Sequence, residues 1–362
     1  MSNMNNPLAD LFLQTCAQIH PPSADAYASS RLRLDTLTKP LGSLGRLEDI
    51  AAQWASIRGK AALVPVRKAV YVFAADHGIT AEKVSAYPRE VTHQMVLNFL
   101  AGGAAINVLA RHQQADLYVV DVGVDADLSE LRGLIHRKVA RSTRNMLHEP
   151  AMTEGELFSA LAVGIELAKQ AAALGYTLLA VGEMGIGNTT SATAITCAIT
   201  GASVEQATGR GTGLDHAAHT HKVEVIKAVL SHHSAHLANA DPLQILRRVG
   251  GLEIAAMTGM MLGAASHSIG ILCDGFISTA AAALAISIAP EVRGYLIAGH
   301  QSAEPGHRLL LERFELSALL SLDMRLGEGT GAVLAMSIVE SAIALYTGMA
   351  TFASAGISEA SE

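Results

Sequence analysis

The sequence predicts an α/β protein built on a parallel sheet that is covered by helices on both faces. Three observations carry that prediction. Short apolar, β-branched runs alternate with Ala-rich segments of helical length, the rhythm of strand–helix–strand crossovers. The runs are continuously apolar rather than alternating, as strands buried on both faces must be. Each run also ends in a turn rich in Gly, Asp, Glu, Asn, Ser or His, and open parallel sheets bind ligands at such strand ends.

Taken in order, the predicted strands are Ala69–Ala75, Leu117–Val122, Thr177–Val181, Ile269–Cys273 and Tyr295–Ala298. Segments such as Met95–Arg111, Leu157–Ala173, Ala280–Ile288 and Ala332–Tyr346 read as helical. The strands lead into ADHG (75–78), DVGVD (121–125), GEMGIGNTT (182–190), CDG (273–275) and AGHQS (298–302). Five polar strand ends of this kind predict one shared site rather than five unrelated loops. The Ser/Ala-rich first thirty residues and Ala355–Glu362 are expected to be the least ordered parts, with Leu8–Ile19 forming a helix. No internal repeat or low-complexity linker divides the chain.

Composition removes several classes. With 362 residues, half of them apolar, the chain is neither disordered nor too short for a large core. Its 26 Lys and Arg against 33 Asp and Glu give a net charge of −7 without a basic block, which argues against nucleic-acid polymers as partners. Cys16, Cys197 and Cys273 have no CxxC spacing, so a disulfide scaffold or zinc knuckle is not expected and a reducing cytoplasm is. A mean hydropathy of +0.31 raises a membrane reading, such as a transporter. Ile254–Cys273 lacks charged residues and Thr330–Ile357 has only Glu340, and both are long enough to span. Both are also dominated by Ala, Gly, Ser, Thr and Met and broken by Gly or His, without aromatic belts. They read as buried helices of a small-residue core. The first basic residue is Arg31, so no secretory leader is expected.

Four motifs carry chemistry. Gly182–Thr190 follows a strand and opens a helix, so its backbone amides and the helix dipole suit an anion. Its G-x-x-x-x-G spacing resembles a phosphate loop, but Asn188 stands where the lysine belongs, which points to a single phosphate monoester; a tight turn capped by Asn188 or Thr189 is the plainer alternative. Thr208–Gly213 is a second Gly-rich turn, followed by Lys222, and the two turns with that lysine can close around a phosphate and its ribose. His216, His219 and His221, with His232, His233 and His236, have no acidic triad or Cys with them and read as a solvated helix face rather than a metal site. Glu328 in GEGTG (327–331) is the most suggestive carboxylate: flanking glycines and the apolar Met324 and Leu326 would raise its pKa toward that of a general base, unless it merely complements a helix dipole.

These motifs, in order, resemble one family. Thr38–Glu48, Ala75–Gly78, Ser85–Gln94, Gly102–Asn107, Gly182–Thr190, Gly209–Asp215, Gly250–Ala255, Asp274–Ile277, Gly299–Gly306 and Met324–Ala332 together look like the nicotinate-nucleotide:5,6-dimethylbenzimidazole phosphoribosyltransferase family, over residues 30 to 347. The resemblance implies a parallel, Rossmann-like α/β sheet flanked by helices, with a smaller helical domain from the N- and C-terminal segments. It sets the domains at 1–60 plus 305–362 and at 61–304, with Glu328 at the junction, in a cytoplasmic homodimer. It implies no cofactor, no metal and no membrane, and the substrates nicotinate mononucleotide and 5,6-dimethylbenzimidazole. Glu328 matches the family's base. Glu183, Gly187, Asn188, Thr189, Gly213, Lys222, Asp274 and Ser302 match nucleotide contacts. Ser85, Gln94, Met184 and Leu326 match the benzimidazole pocket. A non-catalytic nucleotide sensor using the same loop is the alternative from another class.

Overall fold

The computed structural model describes residues 6–59, 66–211, 213–239 and 241–358. The 60/61 domain boundary, Thr212 and the last four residues of the 355–362 segment lie outside the described residues. At the centre is a six-stranded sheet of β1 (Lys68–Ala75), β2 (Asp116–Gly123), β3 (Leu134–His136), β4 (Leu178–Met184), β5 (Gly270–Cys273) and β6 (Leu296–Ala298). Every neighbouring pair is parallel, in the order β3-β2-β1-β4-β5-β6. The sheet is thus wound outward in both directions from β1, and the crevice of such a fold opens where the order reverses, between β1 and β4. All five predicted runs are strands. β3 was not among them, because a three-residue edge strand reached through a loop has neither the length nor the crossover helix that makes a strand legible.

The first half of the chain supplies helices α1 (Pro7–Ala17), α2 (Ala24–Thr36), α3 (Arg46–Arg58), α4 (Val91–Ala101), α5 (Ala105–His112) and α6 (Glu154–Ala173). The second half adds α7 (Asn188–Thr200), α8 (Val204–Ala207), α9 (His216–Leu237), α10 (Pro242–Val249), α11 (Leu252–Ser266) and α12 (Phe276–Ile288). A two-residue parallel ladder, β7 (His300–Gln301) with β8 (Leu320–Ser321), brackets α13 (Pro305–Arg313), and α14 (Thr330–Gly348) and α15 (Phe352–Ala355) close the chain.

Each face of the sheet has its own core. Tyr71, Phe73, Leu179, Val181 and Ile271 point into one, packed by α6, α7, α11 and α12. Val70, Val72, Leu178, Ala180 and Leu272 point into the other, packed by α3, α4, α5 and α14. Burial on both faces is why the strands read as unbroken apolar runs.

Two expectations are corrected. Residues 6–30 are largely helical, with α1 over most of the expected Leu8–Ile19 segment: Asn6 caps α1 by accepting from the amides of Leu8 and Ala9, and Ser23 caps α2. These helices are tied down, since Arg33 donates to Tyr346 O at 3.1 Å and Leu37 pairs with Thr351, joining the two ends of the chain. The stretch Met95–Arg111 is two helices, not one. Gly102 ends α4 with φ +80°, and Asn107 Oδ1 accepts the Ala104 amide to start α5.

The stretches that prompted a membrane reading are accounted for by packing. Ile254–Cys273 comprises most of α11, a turn at His267–Ser268, and β5. Leu252–Ala265 is buried throughout, and α11 lies so close to α6 that a Cβ on Gly164 would overlap Ala256 O and one on Gly259 would overlap Leu161 O. α14 is long and apolar enough to cross a bilayer, but one face is buried against the sheet and α3.

Glycine at this crossing is therefore required. Gly259→Val should lower the unfolding free energy by about 3 kcal/mol, whereas Gly155→Ala, on the exposed first turn of α6 with nothing within 4 Å, should raise it by roughly 0.5–1 kcal/mol. Urea melts of both variants check the pair; equal midpoints would show that the helices do not meet closely.

Candidate active site

The site lies at the carboxyl ends of β1, β4 and β5. Phe73 pairs with Glu183 and Ala74 with Met184, so ADHG and GEMGIGNTT leave the sheet side by side. Gly187, at φ +94°, turns the chain into α7, and no side chain caps that helix. Asn188 instead donates from its side-chain amide to Glu183 Oε2. The loop rests on a buried polar base: His77 Nε2 is 2.6 Å from Glu253 Oε1, and its Nδ1 is 3.1 Å from Ser191 Oγ. Thr92 Oγ1 accepts the Ile186 amide at 3.1 Å, holding the loop from the α4 side.

The lysine missing from the loop arrives from α9. Lys222 is buried, and its Nζ donates to Thr189 Oγ1 at 2.7 Å, facing Gly211 of the second Gly-rich turn. Burial lowers its pKa to about 8, against the opposing pull of Glu304. Thr189, Lys222 and the uncapped start of α7 bring together hydrogen-bond donors and positive charge that suit an anion.

Glu328 stands in a turn of three consecutive left-handed residues, with φ of +86° at Gly327, +63° at Glu328 and +90° at Gly329. Such a conformation is strained for Glu and persists only where its surroundings over-determine it. Here Asp274, at the end of β5, accepts Gly331 N–H at 2.7 Å and Ala332 N–H at 3.1 Å on Oδ1, and Gly329 N–H at 3.2 Å on Oδ2. From below, Gly182 has no side chain where a Cβ would overlap the Glu328 carbonyl. The Glu328 carboxylate accepts the Ile106 amide at 3.2 Å, at the start of α5. Burial raises its pKa, the Ile106 amide opposes that, and the Asp274 charge adds to it.

Beside Gly327 of that turn is a small cleft of about 100 Å³, lined by Glu183, Met184, Asn188, Thr189, Asp274, Ser302 and Leu326 of the predicted residues; Glu328 itself does not line it. A smaller pocket behind it shares Asn188 and Thr189 and adds Ser85, Gly187 and Lys222. Gly213 lines a third depression next to Glu304. Gln94 does not join them; it is exposed on α4 and lines none of these cavities. Asp274 lines the cleft, yet both its oxygens are engaged by the start of α14. In Glu183, burial, and behind it the charges of Glu253, Asp274 and Glu328, push the pKa up to about 8 despite the Asn188 bond.

Sequence reasoning missed His77, Glu253 and Ser191 beneath the loop, and the Ile106 amide on Glu328. A buried His–Glu pair separated by 176 residues has no local signature, and a backbone amide has none at all. It also missed Glu304 and Arg325 on the cleft wall, although Glu304 lies within the Gly299–Gly306 motif. The histidine helix departs from expectation at one position: His233 is buried and bonds Met146 O at 2.9 Å. Among the described residues no three His, Cys, Asp or Glu side chains converge to hold a metal ion.

An open parallel sheet whose switch point carries a lysine-anchored anion site beside a desolvated carboxylate defines a nucleotide-processing α/β enzyme. A family model described as Phosphoribosyltransferase matches residues 19–357. The chain belongs to that family, in its nicotinate-nucleotide–dimethylbenzimidazole branch. It is 50% identical over 349 residues to the nicotinate-nucleotide–dimethylbenzimidazole phosphoribosyltransferase of Geobacter sulfurreducens, covering 96% of this chain and 99% of the relative. The enzyme of the same name from Chloroflexus aggregans is 50% identical over 352 residues, covering 97% and 99%. The crystal structure of CobT from Thermus thermophilus matches with a TM-score of 0.87 at 46% identity, over 93% of this chain and all of that one.

The buried Glu183 makes stability depend on pH. Its folded pKa of about 8 lies above its ordinary 4.5, so the native state holds a proton that the unfolded chain releases between those values. Its contribution is complete below pH 4.5 and is lost as pH rises to 8. The difference in unfolding free energy between wild type and Glu183→Gln should therefore fall from about pH 5 to about pH 8. Urea titrations at several pH values read it directly, and a flat difference would contradict the assignment.

Proposed function

We propose that this chain transfers the phosphoribosyl group of nicotinate mononucleotide to 5,6-dimethylbenzimidazole, releasing nicotinate and forming α-ribazole 5′-phosphate, with Glu328 as general base and inversion at C1′. The observation that carries this reading is the Lys222–Thr189 anion site at the same switch point as a buried Glu328 whose turn is fixed by Asp274.

The chemistry asks little more. A pyridinium N-glycoside brings its own cationic leaving group, so nicotinate departs with the C1′–N electron pair without acid assistance. The acceptor attacks C1′ through the lone pair of one ring nitrogen, while the proton on the other passes to Glu328. Approach opposite the departing ring converts β to α. Desolvation raises the proton affinity of Glu328 toward that of a base useful near neutrality. Holding the two substrates in line supplies on the order of 7–11 kcal/mol at best.

In this reading Lys222, Thr189, Gly187 and Gly213 receive the phosphate, and Glu183, Asn188 and Ser302 the ribose. Met184, Leu326 and Ser85 bound the flat acceptor, Gln94 stays outside the cavities, and Asp274 acts through the Glu328 turn. The reading also includes a helical unit of residues 1–60 and 305–362, and a homodimer. Leu97 and Val108, exposed on α4 and α5, offer apolar surface for the latter. Free cysteines suit a cytoplasmic setting.

Incubation with nicotinate mononucleotide and 5,6-dimethylbenzimidazole, with nicotinate followed by HPLC and the product by mass, tests the reaction; ligand binding without nicotinate release would favour a sensor. Glu328→Gln should keep nucleotide binding and lose turnover by roughly 10²–10⁴-fold, and unchanged turnover would remove the base assignment. Gly182→Ala, which pushes on the Glu328 carbonyl, should cost about 10²-fold in kcat through misplacement alone, with the far-ultraviolet circular dichroism unchanged.

A further inference from the structure

Two arginines near the cleft have no role in the proposed mechanism. Arg210 and Arg325 are both exposed, and neither enters any ion pair among the described residues. They share the depression between the second Gly-rich turn and Glu304, but from there they divide. Arg210 lines the pocket of Lys222, Gly187 and Thr189 and not the main cleft. Arg325 lines the main cleft with Glu183, Asp274 and Ser302 and not the lysine pocket. Arg325 is also three residues from Glu328, on the same connection into α14.

The substrate of the proposed reaction carries two anionic groups, a phosphate and the nicotinate carboxylate. The phosphate has Lys222. The main cleft is otherwise lined by the acidic side chains Glu183, Asp274 and Glu304, none of which supplies a cation to pair with a carboxylate. Arg325 is the permanently charged cation on that wall, and a guanidinium matches a planar carboxylate in a bidentate fork.

We propose that Arg325 binds the carboxylate of the departing nicotinate and so selects nicotinate mononucleotide over its carboxamide analogue, while Arg210 serves the phosphate common to both. The inference rests on the reaction proposed above. Charge flow gives Arg325 a further effect. In the substrate the pyridinium and carboxylate charges cancel. When the C1′–N bond breaks and its electron pair goes to the ring nitrogen, nicotinate becomes an anion with a single negative charge. A guanidinium at the carboxylate therefore holds the leaving group more strongly after bond cleavage than before it, the kind of differential interaction that raises kcat. The carboxamide analogue leaves as a neutral molecule and gains nothing from it.

Both side chains are exposed, so their replacement leaves the fold intact, and the test is a comparison of kcat/KM for nicotinate mononucleotide and nicotinamide mononucleotide at fixed 5,6-dimethylbenzimidazole. Arg325→Ala should lower kcat/KM for the acid by about 10- to 100-fold, leave the amide nearly unchanged, and collapse the ratio between them. Arg325→Lys should restore part of the ratio. Arg210→Ala should lower both values equally and keep the ratio at its wild-type value. A wild-type ratio retained in Arg325→Ala, or a ratio collapsed in Arg210→Ala, would overturn the assignment. Failure of the wild-type protein to release nicotinate at all would instead overturn the proposed reaction, so the two readings fail separately.

Discussion

The carboxylate of Asp274 is the joint on which the site depends. It ends the central sheet at β5 and accepts the amides of Gly329, Gly331 and Ala332 at the start of α14. Those amides are buried, and without an acceptor each would carry the full penalty of an unmade hydrogen bond, about 1–3 kcal/mol. Helix α14 therefore has one favourable position over the sheet. The left-handed Glu328 turn, which by itself costs roughly 1–2 kcal/mol, is held there by the same bonds and by the bare backbone of Gly182 beneath it. The strain is local, and the sheet, the cap and the helix all oppose its relief.

Around this joint the protein keeps charges in states they would not choose in water. Burial raises the pKa values of Glu183, Glu304 and Glu328 and lowers that of Lys222. Carboxylates crowd the strand ends, while among the described residues Lys222 has only a hydroxyl as hydrogen-bond partner. Such an arrangement costs stability, because buried ionisable groups lose their hydration. The remainder of the molecule offsets this cost with a core of small residues, where glycines let α6 and α11 approach to backbone contact. That packing is also the reason for the high hydropathy: the surplus of Ala and Met lies between helices and sheet.

Much of this was legible in the sequence. The strands announced themselves because burial on both faces requires unbroken apolar runs, and the Gly182–Thr190 loop because closely spaced glycines after a strand mark a turn into a helix. Glu328, Glu183 and Lys222 stood out for similar reasons, each set in or beside a Gly-rich turn. Other features had no linear trace. The break between α4 and α5 turns on Gly102 adopting a left-handed conformation, which a run rich in helix formers conceals, and that break creates the amide facing Glu328. The His77–Glu253 pair joins the end of β1 to the start of α11. β3 is too short for any periodicity.

The sequence by itself determined the fold class, the polar strand ends and the residue types set there, because periodicity and turn chemistry are local properties. Only the tertiary structure decided which groups meet. Lys222 takes the position the loop leaves vacant because α9 packs beside α7. Asp274 faces the amides of α14 rather than open solvent because α14 lies across the end of β5. Arg325 and Arg210 part company because one connection enters the cleft and the other the lysine pocket. Those outcomes depend on how helices seat on a sheet, and seating is settled by the sum of long-range contacts, which no segment of the chain carries alone.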